Sequence, residues 1–158
     1  MKRRMIIFAI LTALWCGFIF YLSSENSSES SQRSGEIITK ICEIVVPDFK
    51  SFGEAKRQEI ISDYSFIVRK AAHFTAYAIL GALLFQLLCF VKDKRLRGLF
   101  AVAGAFLYAA SDEWHQSFSP GRSCELRDML IDTCGALLAV LLSLLVIALI
   151  NRKKSKAA

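Results

Sequence analysis

Residues 98–117 read GLFAVAGAFLYAASDEWHQS, and they decide the fold because an unbroken apolar run passes directly into a charged end. The apolar part, Gly98 to Ser111, has 14 residues and as an α-helix covers about 21 Å. A bilayer core is about 30 Å thick, so a crossing helix must continue to about Ser117. The added turns carry Asp112, Glu113, His115 and Gln116 below the membrane surface, where charged groups need partners.

The composition of the whole chain supports a helical membrane protein. Its 158 residues suit a single domain, 1–158, and 54% of them are hydrophobic, which is high for a soluble fold. With only 2 prolines and 12 phenylalanines the chain lacks the polar bias of a disordered protein. It also lacks the alternating strands and frequent turns of a membrane β-barrel.

Three further stretches approach the length of a membrane span. They are residues 5–22, 71–91 and 129–150, and with 98–117 they predict an all-α bundle of four transmembrane helices. Four spans place both termini on one side, with residues 23–70 as an outer segment.

Charge indicates which side that is. Residues 1–4, 92–97 and 151–158 hold 11 of the 20 Lys and Arg in only 18 positions. By the positive-inside rule both termini are cytoplasmic. The same clustering at span ends explains the net charge of +6 without nucleic-acid binding, which would require basic residues gathered on one soluble face.

The outer segment predicts a tether followed by two amphipathic helices. The serine-rich residues 23–35 are typical of a flexible linker. Apolar residues then recur at helical spacing up to Pro47, at Ile37, Ile41, Ile44 and Val45. Ser51 and Glu54 form a candidate capping box for a second helix that leads directly into the second span. Cys42 and Cys124 both face outward, and their pairing stays open.

Polar side chains gather in the outer third of three spans, on faces defined by residues three and four apart. The second span contributes Arg69, Lys70, His73 and Tyr77; the third contributes Tyr108, Asp112, His115 and Gln116, with Glu113 at one edge; the fourth begins with Glu125, Asp128 and Asp132. The turn at Pro120 and Gly121 sets Arg122 above them. Because short loops usually join neighbouring helices, we expect these faces to form one pocket that opens outward.

The same residues resemble a known family, the VanZ-like membrane proteins. The likeness runs over roughly 69–139 in three blocks: Arg69, Lys70, His73, Phe74, Tyr77 and Gly81; then Asp112, Glu113, His115, Gln116, Phe118, Pro120, Gly121 and Arg122; then Asp128, Asp132 and Gly135. The resemblance implies a small integral protein of the bacterial cytoplasmic membrane. It also implies a link to resistance against the glycopeptide teicoplanin, without a settled activity.

Our leading functional hypothesis is that the pocket binds the anionic headgroup of a lipid or of a lipid-linked cell-wall precursor. Arg69, Lys70 and Arg122 would pair with phosphate oxygens. The remaining predicted ligand-binding residues are Tyr77, Tyr108, Glu113, Gln116 and Asp128. If the protein also acts on the headgroup, His73 or His115 would serve as general acid or base, and Asp112, Asp128 or Asp132 would orient the imidazole.

Other functions are less favoured. A metal enzyme could use Asp112, His115, His73 and Asp132, but the nearby bases repel a cation, so no metal or other cofactor is predicted. An ion pathway would end halfway, because the inner half of the second span offers only Gln86 and that of the fourth only Ser143. The charges could also pair simply to hold the helices together. Besides lipids, candidate partners are a lipoglycopeptide and, through Gly81, Gly104 and Gly135, a second copy of the chain.

Overall fold

The chain is built from five helices and a short connector. A computed structural model describes residues 2–121 and 124–156, and among these it contains no strand. The helices are α1 (Lys2–Ser23), α2 (Ser27–Val45), α3 (Glu54–Leu87), α4 (Lys94–Gln116) and α5 (Leu126–Lys156), with a 3₁₀ turn at Phe49–Ser51 between α2 and α3. The predicted all-α architecture is confirmed, and helices cover all four predicted span regions.

The directions of the helices follow from the contacts between them. Ser23 at the end of α1 reaches Asp112 near the end of α4, so these two helices run the same way. α3 meets α5 at Lys70 and Asp128 and, further along both helices, at Gly81 and Ala136, so these two helices also run in the same direction. They run opposite to α4, because α3 meets Asp112 through Tyr77 and meets Arg97 further along, at Phe85. The bundle therefore has one end where α1 and α4 finish, which we call the outer end, and an opposite, inner end.

The closest helix contact lies between α3 and α5, at two glycines. A Cβ atom built on Gly135 would stand 2.2 Å from the carbonyl oxygen of Phe74. One built on Gly81 would stand 2.7 Å from the backbone of Ala136. Small residues at such positions allow membrane helices to approach closely. The predicted packing role of Gly81 and Gly135 is therefore met within this bundle.

The inner end is joined by polar contacts to the last turn of α3. Arg97 donates to the carbonyl oxygen of Phe85 and stacks over its ring, 4.1 Å from the ring centre. Arg4 donates to the side chain of Gln86, which also accepts from Arg97 at 3.3 Å. Asp93 caps α4 by accepting from the backbone N–H groups of Leu96 and Arg95, and these bonds lower the pKa of its carboxyl group. Arg4 of α1 and Arg97 of α4 thus both bind the last turn of α3, which joins the three helices at the inner end.

Three of the helices are long and apolar enough to cross a membrane: α1, α3 and α5. Their apolar surfaces are largely exposed, as at Leu14 and Leu141, which is expected where lipid takes the place of protein neighbours. The fourth predicted span, α4, falls short by composition because its last turns carry Asp112, Glu113 and His115. The chain therefore has the character of a membrane protein.

The prediction of a serine-rich tether is wrong for most of its length, since α2 begins at Ser27. Asn26 and Glu29 form a capping box: the side chain of Asn26 accepts from the backbone N–H of Glu29 at 2.9 Å, and the carboxylate of Glu29 accepts from that of Asn26 at 3.0 Å. Ser30 and Ser34 are then buried against the bundle. Small serine side chains here permit close packing rather than flexibility.

The two outer helices differ in detail from the prediction. The face of α2 that packs on α3 contains Ile38 and Cys42, whereas the apolar stripe at Ile37, Ile41, Ile44 and Val45 is exposed. The predicted capping box at Ser51 is wrong, because α3 begins after Gly53 with no side-chain cap and Ser51 belongs to the 3₁₀ turn. The prediction that the second outer helix runs directly into a span is confirmed, since α3 is continuous over 34 residues.

Candidate functional site

The predicted polar faces of α3, α4 and α5 meet at the outer end of the bundle. Tyr77 of α3 and Asp112 of α4 are in contact, and Lys70 and His73 of α3 face Asp128 and Asp132 of α5. The polar residues of three helices therefore form one cluster, buried on one side and open to a cavity on the other.

Asp112 is the centre of the buried side. Its Oδ2 atom accepts hydrogen bonds from the Ser23 hydroxyl at 2.7 Å, the Tyr77 hydroxyl at 3.2 Å and the Gln116 amide at 3.2 Å. The Gln116 amide also donates to the Ser23 hydroxyl at 3.3 Å. One carboxylate oxygen thereby ties α1, α3 and α4 together.

Two pairs of side chains connect α3 to α5. Lys70 donates to both carboxylate oxygens of Asp128, and both side chains are about 85% buried, with exposures of 15% and 16%. One turn deeper, the Nδ1 atom of His73 lies 3.6 Å from Oδ1 of Asp132, which is fully buried. The cationic charge of Lys70 is consequently matched by a carboxylate within the protein.

Several buried carboxylate oxygens are not fully satisfied. Within the described residues, Oδ1 of Asp112, Oε1 of Glu113 and both oxygens of Asp132 have no hydrogen-bond partner. The other oxygen of Glu113 accepts from the backbone N–H of Glu125 at 3.0 Å, which holds the end of α4 to the start of α5. Such groups are unusual in native interiors, where buried polar atoms are paired with protein groups, water or ions.

A polar cavity of about 190 Å³ opens above this cluster, and we call it the polar cavity. It is lined by Ser27, Phe66, Arg69, Lys70, His73, Gln116, Gly121, Glu125 and Asp128. Five of the predicted site residues therefore line one space, between α2, α3 and the connection from α4 to α5. Within the described chain, Arg69 forms neither an ion pair nor a hydrogen bond, so its positive charge is available to a ligand.

Two predicted site residues make contacts with α1 instead. The Tyr108 hydroxyl donates to the backbone carbonyl of Cys16 in α1 at 2.7 Å, while its ring lies beside that of Tyr77, with 6.2 Å between ring centres. The His115 ring packs on the ring of Phe20, which is also in α1, with 4.3 Å between ring centres. Neither side chain lines the polar cavity. Arg122 lies outside the residues that the structure describes.

Sequence reasoning missed the contribution of the first helix and of the start of α2. Ser23, assigned to the tether, is a direct partner of Asp112. The indole N–H of Trp15 donates to the carbonyl of Ala76 at 2.8 Å, which fixes α1 against α3. Ser27 reaches the rim through its backbone N–H, 3.3 Å from the carbonyl of Pro120. A Ser or Trp near one face of a span is a weak signal, because its partner lies on a distant helix.

Two open questions about side-chain chemistry can be addressed. Cys42 and Cys124 are free thiols, one buried and one exposed, so they do not form a disulfide. Among the described residues, no group of three or more His, Cys, Asp or Glu is arranged to hold a metal ion.

Comparison with known proteins identifies the family of the chain. The family model described as VanZ/LLP1 matches residues 8–148, which is most of the chain. The chain belongs to the VanZ/LLP1 family. The match extends from the first turns of α1 to near the end of α5 and includes every residue of the polar cluster. No curated protein and no solved structure matches the chain, so the VanZ/LLP1 assignment stands on the family model.

Proposed function

We propose that this VanZ/LLP1 family protein binds the phosphate-bearing headgroup of a membrane lipid, a phospholipid or a lipid-linked cell-wall precursor, in the polar cavity. The observation that carries the proposal is Arg69, a guanidinium that lines the cavity and has no partner among the described residues. A planar guanidinium binds phosphate oxygens through two parallel hydrogen bonds. The ammonium group of Lys70 is already paired with the carboxylate of Asp128, so Lys70 holds α3 to α5 at the cavity and is not the proposed phosphate ligand.

The proposal includes a four-span topology with both termini on the cytoplasmic side. The 23 residues of α4 cover about 34 Å and run beside α3 and α5 from Arg97, at the inner end, to Asp112, at the outer end. A helix packed along two membrane spans over that distance crosses with them. The basic residues of 1–4, 92–97 and 151–158 then lie on one side, which the positive-inside rule assigns to the cytoplasm. The polar cavity consequently opens toward the outer leaflet of a bacterial cytoplasmic membrane.

Replacing Arg69 tests the headgroup proposal. We expect Arg69→Ala to weaken binding of dioctanoyl phosphatidylglycerol to the purified full chain by about 10- to 100-fold, because hydrogen bonds to charged groups contribute about 1.5–3 kcal/mol. Binding is measured by calorimetry, with dioctanoyl phosphatidylcholine and undecaprenyl phosphate titrated in parallel to separate the two lipid sources.

The matched control is Arg57→Ala, since Arg57 is also on α3 but pairs with Glu54 away from the cavity. Arg57→Ala should bind as the wild type does. Equal affinities of Arg69→Ala and wild-type protein would contradict the proposal. We also expect that, in a strain whose teicoplanin resistance depends on this protein, Arg69→Ala increases susceptibility to teicoplanin and Arg57→Ala does not.

A second candidate is an enzyme that acts on the bound headgroup, favoured by the pairing of His73 with Asp132. His73 lines the polar cavity, and the buried carboxylate 3.6 Å from its Nδ1 would orient the imidazole as general acid or base. In that case His73→Gln should retain phosphatidylglycerol binding and abolish headgroup release from vesicles of lipid-linked substrate. Retained release by His73→Gln, or no release by the wild type, argues for binding alone.

A further inference from the structure

A second cavity adjoins the polar cavity, and it lies between α1, α2 and α3. Its volume is about 100 Å³. Six of its lining residues are aliphatic: Ile19, Leu22, Ile37, Val68, Ala72 and Ala76. We call it the apolar groove. Its rim includes Ala72 and Ile37, both of which are exposed on the outside of the bundle. The groove therefore leads from the interior of the outer end to the surface that faces lipid.

The two cavities share two side chains, Arg69 and His73. The other charged residues of the groove, Glu25 and Arg33, form an ion pair with each other. The Ser34 hydroxyl donates to the carbonyl of Ser30 at 2.8 Å, and the Ser23 hydroxyl donates to Asp112. Within the described chain, the one charged group of the groove without a partner is thus Arg69, at its junction with the polar cavity.

We infer that the apolar groove receives the hydrocarbon chain of the same lipid whose phosphate lies against Arg69. This inference rests on the proposed headgroup binding and adds where the rest of the ligand goes. A lipid with an anionic headgroup fits the two adjoining cavities. Its headgroup would occupy the polar cavity, its phosphate would lie against Arg69, and its hydrocarbon chain would leave through the apolar groove. A free phosphate compound would occupy the polar cavity and pair with Arg69, but it would leave the apolar groove empty.

The size of the groove limits how much of the chain it holds. A cavity of about 150 Å³ accommodates a benzene molecule. The groove is smaller, so it takes the first few methylenes next to the headgroup, and the rest of the chain lies in the bilayer. Chain length beyond those carbons should therefore matter little to affinity.

The groove contributes little hydrophobic free energy to binding; its contribution is to give the hydrocarbon chain a path out of the protein. A chain that leaves the bilayer for the groove exchanges one hydrocarbon environment for another, so little free energy is gained. What the groove provides is an exit that lets the headgroup enter the polar cavity while its chain stays in the membrane. Filling the exit should exclude a lipid and leave the headgroup site itself intact.

Photocrosslinking of the full chain in phosphatidylcholine vesicles tests the inference. The vesicles contain a minor share of phosphatidylglycerol with a diazirine near the ester end of one chain. Wild-type crosslinks should concentrate on the groove residues of α1, α2 and α3. Ala72→Leu and Ile37→Trp, which fill the groove from opposite walls, should reduce these crosslinks by about tenfold, equivalent to about 1.4 kcal/mol.

Each variant has a matched control. Ala71→Leu and Ile41→Trp place the same side chains at exposed neighbours that do not line the groove, and they should crosslink as the wild type does. Crosslinks spread evenly over the exposed helix faces, or undiminished in both filled variants, would overturn the inference. If Arg69→Ala still weakens phosphatidylglycerol binding, the headgroup proposal survives that result; if Arg69→Ala binds normally, the headgroup proposal itself fails.

Discussion

Gly135→Ala is expected to destabilise the protein by about 3 kcal/mol, the upper end of the range for overpacked cores. The added methyl group would lie 2.2 Å from the carbonyl oxygen of Phe74, a distance that real Cβ atoms do not reach. The obstacle is backbone and not a flexible side chain, so α3 and α5 must separate. Their separation would break the alignment of Lys70 with Asp128 and of His73 with Asp132.

Thermal unfolding in detergent measures this effect, together with elution as a single species from a sizing column. Gly17→Ala is the control, because a Cβ atom at Gly17 meets nothing within 4 Å. That substitution should be neutral or should stabilise α1 by up to about 1 kcal/mol, since alanine favours helix more than glycine does. A melting temperature of Gly135→Ala equal to that of the wild type would show that α3 and α5 do not pack in this way.

Asp112→Ala should have a comparable effect on stability, by a different route. Its Oδ2 atom accepts from Ser23, Tyr77 and Gln116, so the truncation removes the acceptor of two buried hydroxyls and one of the acceptors of the Gln116 amide. Unsatisfied buried donors cost about 1–3 kcal/mol each, and some will find new partners, so we expect a loss of about 3 kcal/mol. Asp112→Asn, which keeps one acceptor oxygen, should lose less.

The readouts are thermal unfolding and phosphatidylglycerol binding on the same preparations. Asp112 does not line the polar cavity, so binding should fall only in proportion to the unfolded fraction. Ser111→Ala, at an exposed neighbouring position, is the control and should change neither quantity. A well-folded Asp112→Ala that fails to bind would place Asp112 in the ligand site instead of behind it.

Helical spacing was sufficient to predict the walls of the site on α3 and α5. Lys70 and His73 face Asp128 and Asp132 as their three- and four-residue spacing requires, because a helix fixes which side chains share a face. The same rule placed Asp112 and Gln116 together on α4. Spacing also grouped Tyr108 and His115 with them, yet the Tyr108 hydroxyl and the His115 ring contact α1. The polar face of α4 is wide enough to contact both α1 and α3. Spacing along α4 does not show which of these two helices each side chain contacts.

Two further features were outside the reach of sequence patterns. Serine content predicts a flexible linker, but Asn26 and Glu29 start a helix there, and Ser30 and Ser34 are small enough to pack against the bundle. The contact of Ser23 with Asp112 spans 89 positions in the chain. Long-range pairs of this kind depend on how α1 docks, and no local rule specifies that.

The continuity of α3 gives the molecule a mechanical property. Over its 34 residues, about 51 Å, the helix has no proline and no interruption, so it behaves as a stiff rod. Its first half carries α2, and its final turn holds Arg97 and Arg4. Because Arg69 lies near the middle of this helix, a displacement of α3 at that point would be transmitted both to α2 at the outer end and to Arg97 and Arg4 at the inner end.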